Sequence, residues 1–517
     1  MAYGASIRKK TIGELETLKK LQKRFTLTFD EWTSLRNRRY LNLNLHLFIG
    51  GAATANIWNL GLVRIEGRFP AEACVTALEK KLQDFEIELN LDVIAATTDG
   101  AAVMKKVGRL LSAHHQLCFA HGLQLAVLEV LYNKRHEQQE EEMQAEVLGN
   151  RPDNESDNES EDDNDEQGNF SVEEEIQAEE LLPQYRELIQ KVRKIVKVFS
   201  SKSPVKNDLL QQYIKAEFGK ELQLILDCRT RWSSLASMLS RFNEVKHCIS
   251  KALIDLKLTS SSFSFTDEEY MTLTHIEQAL EPVKLAVNVL CREDATLITA
   301  ETTLRFMINK LNLQNTRLSQ ELVVSLSRRI KERRTSITAV LLYLENPKKY
   351  LEKDSRSASV EDNPFFYPSK ATLRTEMKCL IERLMSDVQP ETENQQDDDS
   401  EDDMPLSTLP SHTLEEELER SLRTEWVAES RAAVRVPTRD NSTDLILKRE
   451  MTLFECGGNR GKYLEAVYTY VKSIPPTSVE AERAFSAAGY LCNKIRSNLK
   501  DETLDTLSFL RKYFQKK

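Results

Sequence analysis

Apolar and polar positions alternate near the start of the chain. In "FTLTFDEW" Phe25, Leu27 and Phe29 share one side of an extended segment, and in "YLNLNLHLF" Leu41, Leu43, Leu45 and Leu47 do the same. The polar, basic "TSLRNRR" between them predicts a hairpin, and "NLGLVRIE" (59–66) predicts a third strand. Pro70 then opens a helix with Ala73, Leu78, Leu82 and Phe85 on one face, and "DVIAATTDG" (92–100) is a buried strand that ends at Asp99. From Gly100 to about Tyr132 the pattern is helical. Helical spacing returns at Tyr185, Leu188, Ile189, Val192, Ile195, Val196 and Phe199, behind a Ser171/Glu174 capping box, and continues to about residue 350. Near the C-terminus Pro475 and Pro476 stop one helix, and Thr477 with Glu480 forms a T-x-x-E box that starts the next. Ala481, Ala484, Ala487 and Ala488 surround Phe485 there, and Leu504, Leu507, Leu510 and Phe514 repeat at helical spacing in the final segment.

Three strands, a helix, then a further strand with a helix behind it is the element order of an RNase H-like core. The predicted fold class is therefore α/β: an RNase H-like core interrupted by a large all-helical insertion and closed by a helical C-terminal segment. The expected divisions are an N-terminal helical extension (1–24), the first part of the core (25–135), an acidic disordered loop (136–170), a helical part with the insertion (171–386), a second acidic linker (387–410), and the end of the core with the C-terminal segment (411–517).

Charge sharpens this division. The net charge of the 517 residues is −10, but residues 137–180 alone carry −18 and residues 387–403 carry −9, which leaves +17 on the rest. The predicted folded body is basic, as a nucleic-acid-binding surface requires, and the acid sits in tracts too polar to bury a core. Eight cysteines (74, 118, 228, 248, 291, 379, 456, 492) form no C-x-x-C pair, which fits reduced thiols of the cytosol or nucleus. No apolar run approaches the ~18 residues of a membrane helix, and the N-terminus has no secretory h-region.

Two aspartates invite chemistry. Phosphodiester cleavage by two divalent metals needs convergent oxygen ligands. Asp30 and Asp99 lie toward the ends of predicted strands, and neighbours in a sheet would bring them together. Asp30 is also readable as a turn acid before Trp32, and Asp99 as the N-cap of the next helix. Cys118 and His121 stand at i, i+3, but no second Cys/His pair is spaced to complete a zinc site, so no zinc is expected. Arg231 and Trp232 fit stacking on an extrahelical base with a guanidinium on its phosphate, while Trp232 fits equally a helix core with Leu235, Met238 and Leu239. There is no P-loop, dinucleotide fingerprint or nucleophile elbow.

Several stretches resemble hAT-family DNA transposases. "SIPPTSVEAERAFSAAGYLCNKIRSNLKDETLDTLSFLRKYF" is similar to their C-terminal dimerisation region, "FTLTFDEWTSLRNRRYLNLNLHLF" to their first-strand hairpin, "IAATTDGAAVMKKVGRLL" to their second catalytic-Asp segment, "CFAHGLQLAV" to their C-x-x-H helix and "DCRTRWSSLASMLSRF" to their T-R-W segment. The resemblance implies catalytic, metal-holding roles for Asp30, Asp99 and a third acid shortly before "SIPPTS". Glu455 matches that position best and Glu450 less well, although Cys456-Gly457-Gly458 stands where the family places aromatics. It further implies Mg²⁺ or Mn²⁺ in an active enzyme, Arg231 and Trp232 on DNA, Cys118 and His121 beside the site, and dimerisation through Ala484, Phe485, Leu507 and Leu510. No C-x₂-C…H-x₃₋₅-H occurs, so the BED-type finger that reads transposon ends is expected to be absent. The expected protein is a nuclear, self-associating, nucleic-acid-binding relative without transposition. The alternatives are an active or relic transposase and, further off, a free nuclease of the same fold.

Overall fold

The computed structural model describes residues 2–34, 37–48, 56–132, 181–199, 204–228, 232–258, 260–354, 363–384, 439–491 and 499–515. Both acidic tracts, the Ser171/Glu174 box and Arg231 lie outside them. The chain forms two compact units, Met1–Ser369 with Tyr468–Lys517, and Lys370–Val467. The protein is mixed α/β and mostly helical.

In the larger unit, β1 (Phe25–Thr33), β2 (Arg39–Leu47), β3 (Asn56–Ile65), β4 (Val93–Thr98) and β5 (His114–Leu117) form one sheet in the order β3-β2-β1-β4-β5. The β1–β2 and β2–β3 pairs are antiparallel, and β1–β4 and β4–β5 are parallel. The predicted hairpin, third strand and buried strand are present. The helical reading of 100–132 needs correction, because helices Ala102–Leu110 and Phe119–Leu131 flank β5. The motif "HHQL" shows no alternation of its own and is a strand only because β4 pairs with it, from Ala95↔His114 to Thr98↔Leu117.

The predicted side-chain alternation divides the sheet into two unlike faces. Phe25, Leu27, Phe29, Leu41, Leu43, Leu45 and Leu47 are fully buried in one core cluster. They pack there with Leu15 of helix Ala2–Lys20, with Cys74, Leu78 and Leu82 of helix Ala71–Gln83, and with Phe509. Each such aliphatic or aromatic burial stabilises by about 1.5–3 kcal/mol relative to exposure. The opposite face presents Thr26, Thr28, Asp30, Asn42, Asn44 and His46, and it too is covered.

The C-terminal segments do the covering. Thr26 Oγ1 donates to the Ser473 carbonyl (2.8 Å) and Thr97 Oγ1 to that of Pro475 (3.0 Å), while the Phe119 N–H donates to Pro476 O (3.0 Å). The two prolines follow helix Lys462–Lys472 and precede helix Val479–Leu491, as expected. The capping box before the latter is spent otherwise: Thr477 Oγ1 donates to Leu290 O (3.5 Å), and Glu480 takes Lys512 (2.9 Å) and Arg483.

Helix Asp501–Gln515 packs on β3 with Leu504 and Phe509 buried, and one carboxylate pins it there. Asp505 accepts from the Leu62 N–H (2.6 Å), Lys81 Nζ (2.9 Å) and Arg8 NH2 (2.9 Å). This close approach requires a glycine opposite: Gly61 has φ +99°, and a Cβ there would lie 1.9 Å from Asp505 Oδ1.

In the smaller unit, helices Lys370–Leu384 and Arg439–Glu455 pack together, and Arg374 pairs with Asp444 (3.2 Å). The helices between residues 183 and 354 belong to the larger unit.

Candidate acidic site on the polar face of the sheet

Asp30 and Asp99 are placed by strand register. The parallel β1–β4 ladder pairs Thr28 with Thr97, so Asp30 and Asp99, each two residues further, fall side by side at the C-terminal end of β4 on the same face. Asp30 Oδ1 accepts the Glu31 N–H (2.8 Å), and Asp99 Oδ1 accepts the Ala101 N–H (3.2 Å). The N-cap of the following helix is Ala101, so Asp99 shapes a turn and is not the cap.

The third acid at this place is Glu482. Phe485 stacks on Trp32, with ring centroids 5.9 Å apart and planes within 18°, and Trp32 stacks in turn on Tyr40 (5.7 Å). Trp32 is two residues beyond Asp30 on the same strand face, and Glu482 is one helical turn before Phe485, which aims Glu482 at the aspartates. Electrostatics agrees with this placement. Burial, then the charges of Asp99 and Glu482, raise the Asp30 carboxyl well above its usual range. All three acids are half-buried.

Glu455 and Glu450, the sequence-based candidates for this role, are engaged in the smaller unit. Glu455 holds Lys370 (2.6 Å). Glu450 accepts the N–H groups of Tyr463 (3.1 Å) and Leu464 (2.9 Å), acting as a carboxylate cap on the helix that begins at Lys462. Only the tertiary packing of Phe485 on Trp32 singles out Glu482, although its i−3 spacing from a large aromatic was legible.

Cys118 and His121 stand beside this site. Cys118 is the N-cap of helix Phe119–Leu131, and its sulfur accepts the His121 N–H (3.5 Å). Burial, with Glu482 adding to it, pushes the Cys118 thiol up to about 11. Burial and the nearby cations Arg333, Arg329 and Lys105 bring His121 down to about 4. The pair is therefore a neutral buttress at pH 7. Below it, the 1 % exposed Arg333 donates Nε to the Cys118 carbonyl (3.0 Å). A Cβ on Gly122 would come within 2.3 Å of that nitrogen, so only glycine admits the guanidinium there.

Other expectations change. Trp232 is 3 % exposed and lies in a core with Leu235, Met238 and Leu239, so it offers no open face to a base. Phe485 is 7 % exposed and stacks on Trp32 within the chain. Leu507 is half-buried, Leu510 packs partly against the sheet core, and Ala484 lines a cavity beside Glu482.

The donor set, three carboxylates, suits hard divalent cations such as Mg²⁺ or Mn²⁺. Among the described residues, no three His, Cys, Asp or Glu side chains are gathered closely enough to hold an ion as they stand. Also among them, no helix is long and apolar enough to cross a membrane.

A mixed sheet with an acid-bearing polar face, joined to a large helical region, defines the class. Residues 172–279 match the ZBED1 RNase-like helical domain, and residues 456–514 match the hAT family C-terminal dimerisation region. Together the two matches support a hAT-family transposase-derived protein, and the second, to a dimerisation region, supports self-association. No curated protein matches it.

Proposed function

We propose that this protein is a nuclear, DNA-binding dimer whose sheet is an RNase H-like core, split by the helical region, with an acidic site for metal-dependent phosphodiester cleavage. The observation that carries the reading is the juxtaposition of Asp30 and Asp99 by strand register, with Glu482 aimed at them by the Phe485–Trp32 stack. Strand order β3-β2-β1-β4-β5, three antiparallel strands followed by two parallel ones, supports the core assignment. The +17 charge outside the acidic tracts supports a phosphate-bearing partner, and a DNA partner supports the nucleus.

In this reading Asp30, Asp99 and Glu482 hold the divalent ions, which when bound activate the attacking oxygen and take up charge on the leaving oxygen. The carboxylates need an incoming cation to relieve their mutual repulsion, and the raised Asp30 supports that need. Cys118 and Arg333 hold the floor beneath Asp99 and Gly100 in place.

A second reading, a binding protein without transposition, is favoured by the spread of the three side chains. A nicking assay on duplex ends with Mg²⁺ or Mn²⁺ separates the two. Cleavage by wild type that is lost in Asp99→Asn and in Glu482→Gln, but kept in Glu455→Gln, supports the enzyme. DNA binding with no metal-dependent cutting by any of them leaves the binding protein.

A further inference from the structure

Next to Glu482 the polar sheet face opens into a cavity of about 510 Å³. Its floor is Asn44 and Asn59, and its far wall comes from the last helix, Ser508, Arg511 and Lys512. We propose that this cavity receives one nucleotide of a single DNA strand whose neighbouring phosphate lies at the acidic site; the inference rests on the DNA-binding reading and deepens it.

Three groups in the cavity lack the partners that a folded protein ordinarily supplies. Ser508 is 4 % exposed, and its hydroxyl has no hydrogen-bond partner among the described residues. Arg511, one turn further along the same helix, is exposed and makes no ion pair among them. Asn44 gives one amide hydrogen to Asn42 Oδ1 (2.8 Å) and accepts from Asn59 (2.8 Å), which leaves a second amide hydrogen to give.

Of the other lining charges, Glu482 belongs to the acidic site and the rest pair with one another. Lys512 bridges Glu480 (2.9 Å) and Glu293 (2.8 Å), and Arg483 adds a contact to Glu480. Arg511 is thus the lining cation without an ion pair among the described residues, with a hydroxyl one turn away, a pairing that suits a phosphate oxygen. An amide floor suits a base edge, since side-chain amides pair with base donors and acceptors. The volume lies within the range of small-ligand sites. The shared Glu482 wall ties the cavity to the acidic site, and a nucleic-acid strand is the ligand that occupies both at once.

The test is fluorescence anisotropy of a labelled ten-nucleotide single strand on the full chain in EDTA, which needs no metal and no turnover. Arg511→Glu should weaken binding at least about tenfold, and Ser508→Ala about threefold. Arg317→Glu removes an exposed arginine on another helix and corrects for net charge, so it should change binding less than about threefold. Equal losses in Arg511→Glu and Arg317→Glu, or no binding by wild type, would overturn the proposal. Cleavage absent with the Arg511 effect intact sinks the enzyme reading alone, and metal-dependent cleavage with no Arg511 effect sinks this one alone.

Discussion

The carboxylate of Asp505 fastens the last helix to the sheet, and its removal has a calculable cost. Asp505→Ala deprives Lys81 Nζ, Arg8 NH2 and the Leu62 N–H of one acceptor. The Lys81 side chain is 6 % exposed and that of Asp505 16 %, so the lysine is left charged and poorly solvated. Breaking such a buried pair costs about 3–5 kcal/mol. The exposed pair Lys20–Glu16, 72 % and 48 % exposed, sets the opposite limit, because water screens it and either partner is solvated without the other. Urea unfolding followed by tryptophan fluorescence reads the difference, because Trp32 and Trp58 flank the affected sheet. With a denaturant slope of about 3 kcal/mol/M, the Asp505→Ala midpoint should fall by about 1 M or more, while that of Glu16→Ala should stay close to wild type. If the two midpoints moved alike, the carboxylate would not be the fastening and the reasoning would fail. The same clamp has a consequence for dimerisation. Helices Val479–Leu491 and Asp501–Gln515 pack on this sheet, so losing the dimer on deleting residues 473–517 would report unfolding as much as a lost interface.

Two further predictions concern the acidic site. Phe485→Ala removes the ring stacked on Trp32 and should cost about 3–5 kcal/mol in the same assay; it should also lower metal-dependent cleavage by displacing Glu482, whereas full activity would show that the stack does not position the acid. For Asp30→Asn, the folded-state pKa of the wild-type carboxyl lies above its usual 3.8, so the wild type loses stability as pH rises from there through the raised folded value. Asp30→Asn should therefore match wild type near pH 3 and be the more stable protein at pH 7, with Mg²⁺ narrowing the gap; thermal melts across pH check this, and a gap that is widest at low pH would contradict the sign.

Local periodicity determined a good part of this protein. The two-residue alternation in "FTLTF" and "LNLNLHL" gives each strand an apolar side, and a strand's pleat leaves no other arrangement. The proline pair before the C-terminal helix and the apolar face of helix Ala71–Gln83 are likewise properties of short windows. Quoted motifs carried the kinship for the same reason, since they are contiguous. What tertiary structure decided depends on partners far away in the chain. "HHQL" becomes a strand because β4 is beside it, Trp232 is buried because distant helices such as Asp267–Leu290 pack on its own, and Phe485 faces Trp32 across 453 positions of sequence. The identity of the third acid belongs to this second group. Glu450, Glu455 and Glu482 are equally good carboxylates in isolation, and only packing assigns one to a helix cap, one to a lysine and one to the field of Asp30 and Asp99.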